Sequence, residues 1–418
     1  MDESRSHIET LAVSHGEKPY PDSPAAGSRR GAQYGDVVSP VHLASTYALP
    51  RLDPSMGLDD ADPDAGQFLY ARLSNPTRHA LEQRLAALEG GTHGFAFASG
   101  TAAITTVLLS VVEPGDHVVA FDDLYAGTRR LLEDLFERRL DVSVSFVDAT
   151  DVENVERAMR EETRFVWMET PTNPLLRLCD VAAIADVAHE GGALLGVDNT
   201  FVSPYFQQPL ALGADVVAHS TTKYLNGHSD SVGGCVVTDD DSLAETLAFH
   251  QQVALGNALA PFDSYLQLRG LKTFPLRMRQ HEANATAVAE FLADHPSVER
   301  VRYPGLDSHP QYDLAREQMT GFGGVLSFEL AGEMDDVVEF VGALEEFTLA
   351  VSLGGVESLI ECPAAMTHEP LPRAEREAVG ITDTLLRVSV GVEHVDDLIA
   401  DLERGFAAVG RATESQSA

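Results

Sequence analysis

In the stretch AHSTTKYLNGHSD (218–230), Lys223 follows three hydroxyl-bearing residues and precedes a Tyr-Leu-Asn-Gly turn. Only three of the 29 basic residues are lysines: Lys18, Lys223 and Lys272. A primary amine can lose its proton when desolvated and then attack an aldehyde; a guanidinium stays charged. Alone, the stretch also fits an ordinary lysine at a strand-to-helix turn. A second group narrows the choice. Asp198 ends the apolar run ALLGVD, so its carboxylate emerges at a sheet edge, close to where the next strand delivers the lysine. The two form either a buried ion pair or a working acid and amine. A third feature is ASGTAA (98–103), where Gly100 and Thr101 open a helix whose free N–H groups suit a phosphate. Ser220 and Thr222 add hydroxyls beside the amine. A phosphate anchor, an acid and a lysine are what pyridoxal phosphate requires: the lysine takes the aldehyde, and the acid pairs with the protonated pyridine nitrogen.

These residues need a scaffold that brings strand ends together. The runs GFAFASG, HVVAFDD, VSVSFVD, RFVWMET, ALLGVDN and DVVAHS are short, apolar and polar-ended. HALEQRLAALEG, TAAITTVLLSVV, VENVERAMREE and DVAAIADVAHEGG lie among them with helical spacing. That alternation predicts an α/β architecture whose mostly parallel sheet lies between helices, with active residues just past the carboxyl ends of its strands. Residues 1–66 hold little periodicity and read as an N-terminal arm. Residues 67–275 form the large α/β unit. From 276 to 418 the strands GGVLSFEL and LLRVSVG, separated by MDDVVEFVGALEEF, read as a smaller α+β domain.

The totals exclude several classes. A formal net charge of −36 opposes nucleic acid and anionic membrane surfaces as partners. Acidic residues run along the whole chain, and with so few lysines they point to a surface suited to high salt, as in a halophile. No apolar run reaches the length of a membrane span, and the polar, acidic opening MDESRSHIET is unlike a signal peptide. The expected location is cytoplasmic. Cys179, Cys235 and Cys362 are scattered and suggest no disulfide framework. His219 and His228 lack a third ligand at useful spacing, so they read as scaffold and no metal is expected.

Nine motifs in order, YARLSNPT (70–77), ASGTAA, DDLYAGT (122–128), ETPTNP (169–174), VDNTF (197–201), HSTTKYLNGHSD, LRGLKT (268–273), SLGGVESL (352–359) and LRVSVGVE (386–393), resemble the cystathionine γ-synthase/γ-lyase family. That group comprises fold-type I pyridoxal-phosphate enzymes of Cys/Met metabolism. The resemblance runs from about residue 31 to 410 and implies roles. Lys223 holds the cofactor and shuttles protons, and Asp198 partners the pyridine nitrogen. Gly100, Thr101, Ser220 and Thr222 form the phosphate cup. Tyr70 and Arg72 reach a neighbouring subunit's phosphate, which implies a homotetramer built as a dimer of dimers. Tyr125 stacks on the ring and acts as acid or base. Asn173 and Arg387 grip the carboxylate of a small-molecule amino-acid substrate, and Ser352 lies near the lysine. The implied activity is γ-elimination or γ-replacement in trans-sulfuration.

Two positions depart from the cystathionine pattern. Leu69 and Val351 stand where relatives that handle cystathionine often have glutamates. Val351 resembles methionine γ-lyases, yet Gly127 stands where those enzymes typically have cysteine, and Arg130 resembles the basic residue of the cystathionine enzymes. Cystathionine chemistry therefore comes first, with methionine γ-lyase or O-acetylhomoserine sulfhydrylase activity as the alternative. A non-catalytic regulatory protein on the same fold is a more distant reading, opposed by the intact Lys223, Asp198, Tyr125 and Arg387.

Overall fold

The computed structural model describes residues 6–17, 36–49, 57, 61–369 and 372–416. Lys18, and most of the Pro- and Gly-rich stretch that follows it, lie outside them. Seven strands form the larger sheet: β1 His93–Phe97, β2 His117–Phe121, β3 Ser143–Val147, β4 Thr163–Glu169, β5 Leu194–Asp198, β6 Val216–His219 and β7 Gly234–Thr238. Their spatial order is β1-β7-β6-β5-β4-β2-β3. The ladders from β3 across β2, β4 and β5 to β6 are parallel, while β7 runs antiparallel to both β6 and β1. The sheet is thus mostly parallel, as expected. β7, the GCVVT run, was not anticipated, because no helix separates it from β6 and the strand–helix rhythm breaks at the lysine loop.

Helices cover both faces and bury a core around Phe121, Phe165, Val166, Leu195 and Val216, each with no exposed surface. The helix Pro76–Glu89 stops at Gly90, as the sequence predicts. By contrast, the VENVERAMREE helix covers only Val152–Ala158. The N-terminal segment also differs from a featureless arm. Ile8–Ser14 is a helix, and Arg84, wholly buried, donates to the carbonyl of His15 at 2.8 Å. Arg84 also pairs with buried Glu17, which lies 3.2 Å from Lys272. Lys272 is therefore explained by an ion pair.

A second sheet holds β8 Val298–Arg302, β9 Val325–Leu330, β10 Thr348–Leu349, β11 Leu359–Glu361 and β12 Leu385–Ser389, in the order β10-β11-β12-β9-β8. Its core, around Leu326, Phe328, Phe340, Leu386, Val388 and Leu402, is separate from the first. One 20-residue helix, Phe274–Ala293, carries the chain between the two sheets and contains both 275 and 276. No helix among the described residues is long and apolar enough to cross a membrane.

Candidate active site

Each parallel strand delivers its last residue to one edge. Glu169 and Asp198 are register partners at the ends of β4 and β5, and Asp123 follows β2, the next strand over. All three carboxylates are buried. Thr200 satisfies Asp198: its backbone N donates at 3.0 Å and its hydroxyl at 2.5 Å to Oδ1. The same Thr200 oxygen accepts from the backbone N of Ser220 at 2.9 Å, which ties the acid to the segment entering the lysine loop. Burial raises the Asp198 carboxyl; the Thr200 hydroxyl and the neighbouring His219 and Lys223 pull it back. Glu169 is raised further, first by burial and then by the charge of Asp198.

Lys223 Nζ donates to Ser352 Oγ at 2.7 Å. Burial, and then the charge of Arg387, lower its pKa to about 8. Ser352 has φ 101°, a left-handed conformation strained for a residue with a Cβ. The strained turn presents Ser352 in two directions: its hydroxyl meets Lys223, and its carbonyl accepts from Arg387 Nη2 at 2.6 Å. Arg387 Nη1 donates to Asn173 Oδ1 at 2.9 Å. Lys223, Ser352, Asn173 and Arg387 thus form one connected group, although they arise from four separate stretches of chain.

The helix Gly100–Val111 is capped by Ser99 Oγ, which accepts from Ala102 N at 3.1 Å. That cap leaves the N–H groups of Gly100 and Thr101 outside it. A Cβ on Gly100 would lie 2.9 Å from Ser220 Cβ, so only glycine lets the helix end approach Ser220 this closely. The Thr222 hydroxyl donates to the Gly233 carbonyl at 3.2 Å and accepts from Gly233 N at 3.0 Å.

Tyr125 donates its backbone N to Glu169 at 2.8 Å and leaves its ring about half exposed. The ring covers Gly127, where a Cβ would meet Cε1 at 2.4 Å. Tyr70 and Arg72 are not brought to Lys223 within this chain. Both are exposed; Arg72 lies 5.6 Å over the Tyr70 ring and donates to the carbonyl of Gln252. His219 is held by buried Glu89, and His228 Nδ1 lies 2.7 Å from the carbonyl of Asn226. Arg130 is exposed and reaches Asp134 at 3.7 Å.

Two glutamates complete this region: Glu169, a strand-end candidate in the sequence, and Glu361, which the sequence hides. Glu169 accepts from the backbone N–H groups of both Tyr125 and Asn173, so one carboxylate fastens two loops. Its place at the end of RFVWME was the available signal. Glu361 lies 3.1 Å from Arg387 Nη1, directly across the ladder, in a stretch that reads as plain strand.

A desolvated lysine within the electrostatic reach of a strand-end aspartate, beside a glycine-permitted helix end, is the arrangement of fold-type I pyridoxal-phosphate enzymes. The chain belongs to the family described as Cys/Met metabolism PLP-dependent enzymes, whose model matches residues 24–407. It is 47% identical over 400 residues to a cystathionine beta-lyase of Coxiella burnetii, covering 96% of this chain and 97% of that one. To a cystathionine gamma-synthase of Mycobacterium bovis it is 50% identical over 381 residues, 91% and 95% of the two chains. A cystathionine gamma-lyase structure from Lactobacillus plantarum, complexed with L-serine, superposes with TM-score 0.87 at 42% identity over 97% of this chain and 100% of that one. The protein is a pyridoxal-phosphate-dependent enzyme of trans-sulfuration.

Proposed function

We propose that the chain acts on γ-substituted sulfur amino acids, with cystathionine first, by γ-elimination or γ-replacement. The observation that carries this reading is Ser352, which joins the candidate base to the candidate carboxylate grip: 2.7 Å to Lys223 Nζ and 2.6 Å to Arg387 Nη2. A substrate held by its carboxylate at Arg387 and Asn173 then has its α-carbon within reach of the lysine.

The residues fit the cofactor. The cradle at Gly100 and Ser220 would take the phosphate, Asp198 the pyridine nitrogen and Lys223 the aldehyde carbon. When bound, pyridoxal phosphate supplies an electron sink for the carbanion at the α-carbon. Asp198, to which Thr200 donates twice, would pair with the ring nitrogen and favour its protonated form. Lys223 takes the α-proton on Nζ, and its lowered pKa suits a base near neutrality. Lys223, relieved of that proton, takes the β-proton as well. Tyr125, with its hydroxyl on a half-exposed ring, donates to the departing γ-group. Tyr70 and Arg72 serve the phosphate of an adjoining subunit in a homotetramer of two catalytic dimers.

The known relatives bear three names, so outcome and substrate need an experiment. L-Cystathionine split at the γ-carbon yields cysteine, 2-oxobutanoate and ammonia; split at the β-carbon it yields homocysteine, pyruvate and ammonia. We expect 2-oxobutanoate, and in the presence of an O-acylhomoserine plus cysteine, cystathionine. Pyruvate alone would overturn the γ-assignment. Methionine γ-lyase activity is the second reading, favoured by Val351, an apolar side chain next to Ser352 with 56% of its surface exposed. Against it stands Gly127, where methionine γ-lyases typically have cysteine. Release of methanethiol from L-methionine faster than 2-oxobutanoate from L-cystathionine would reverse the order.

A further inference from the structure

Arg387 carries five N–H donors in a fixed fork. Nη1 reaches Asn173 and Glu361, Nη2 reaches the Ser352 carbonyl, and Nε is buried without a partner. Glu361 has no exposed surface. Its Oε1 lies 3.1 Å from Arg387 and accepts from the Thr367 hydroxyl at 3.3 Å, while its Oε2 is buried with no partner. A buried carboxylate oxygen without a hydrogen bond is costly and calls for an explanation.

We propose that Glu361 is the resident occupant of the substrate-carboxylate site: it neutralises Arg387 until a substrate carboxylate arrives, and then takes a proton from solvent onto Oε2. This inference rests on the proposed carboxylate grip at Arg387. Its basis is charge arithmetic in a buried site. One guanidinium balances one carboxylate. A second carboxylate brought to the same guanidinium leaves one buried negative charge, and two close carboxylates cannot both stay ionised at low cost. The charged groups facing Glu361 are few. Arg387 faces it from β12, and the charge of Lys223 reaches it from the loop after β6. His368, whose Nδ1 lies 3.1 Å from the Thr367 hydroxyl, is held neutral near neutral pH by burial and by Arg387 and Arg376. Lys223 ceases to be a free ammonium once it holds the cofactor; its imine nitrogen can still take a proton, and Glu361→Gln distinguishes uptake there from uptake at Glu361.

The test uses the holoenzyme and butanoate, a carboxylate without an amino group, so no bond to the cofactor can form. Calorimetric titrations at pH 7.5 in two buffers of different ionisation enthalpy give the protons taken up per butanoate bound. We expect uptake approaching one proton in the wild type. Glu361→Gln, which is isosteric but cannot take the proton, should show none and bind butanoate about tenfold more tightly, as expected for a competitor removed from a buried pair. Wild-type affinity should rise as pH falls, and that of Glu361→Gln should stay level. Butanoate binding to the wild type without proton uptake overturns the inference and leaves the carboxylate grip standing, whether or not the variant folds. No butanoate binding to either protein, or binding unaffected by Arg387→Lys, overturns the grip and the inference with it.

Discussion

At the scale of single residues, most of the chemistry turns on desolvation. Lys223 is an amine brought into range by burial and by the positive charge of Arg387, which together set its pKa at about 8. An exposed lysine titrates near ~10.4. The attacking species is the neutral amine, present above the pKa. Loading of cofactor-free protein with pyridoxal phosphate, followed by stopped-flow absorbance, should therefore accelerate with pH and level off a little above pH 8. A rate still climbing through pH 10 would show the amine to be unperturbed. Lys223→Arg should form no covalent adduct at any pH. The sequence made Asp198 and Lys223 legible, because Asp198 ends an apolar run and one of very few lysines follows the next run; Asn173 and Arg387 were legible through the family resemblance. It hid Glu361, because a glutamate within a strand reads as a solvated face until the fold buries it. It also hid the left-handed Ser352, which no composition rule marks in a residue other than glycine.

At the scale of elements, strand ends and one helix end set the spacing. Six strands were visible as apolar runs with polar ends, since strands covered by helices need hydrophobic residues on both faces. β7 was not, because it returns from the lysine loop without a helix. The helix Ile8–Ser14 is short and fully buries only Ala12, which leaves too little periodicity to detect. The helix at Gly100 is held against Ser220 by the lack of a side chain. Gly100→Ala puts a methyl 2.9 Å from Ser220 Cβ, and such overpacking typically costs about 1–3 kcal/mol. Ser220 opens the lysine loop, so the displacement reaches the cofactor cradle. The expected result is a lower melting temperature together with weaker retention of pyridoxal phosphate on dialysis. A variant that melts earlier but holds the cofactor as firmly as wild type would separate the helix end from the cradle.

At the scale of the whole molecule, the exposed surface is incomplete in two ways. Val37, Leu43, Phe249, Val253 and Phe262 are large apolar side chains, each more than half exposed. Apolar surface of this kind, when it gathers in patches, marks contact with another protein. Tyr70 and Arg72 are exposed too, and within this chain Arg72 donates to the carbonyl of Gln252 rather than reaching Lys223. A second copy that covers the apolar side chains and receives Tyr70 and Arg72 at its own Lys223 would answer both. The net charge of −36 on each chain repels that association, and the repulsion weakens as salt shortens the screening length from ~10 Å at 0.1 M to ~3 Å at 1 M. Subunits should accordingly exchange at low salt and stay associated at high salt. Arg72→Ala and Lys223→Ala, each inactive alone, can then be mixed at low salt and returned to 1 M NaCl. A hybrid dimer has one site with both residues intact and one lacking both, so random exchange of equal amounts should restore about a quarter of wild-type activity. Labelled subunits that exchange fully without any return of activity would show that Arg72 and Lys223 of different chains do not share a site.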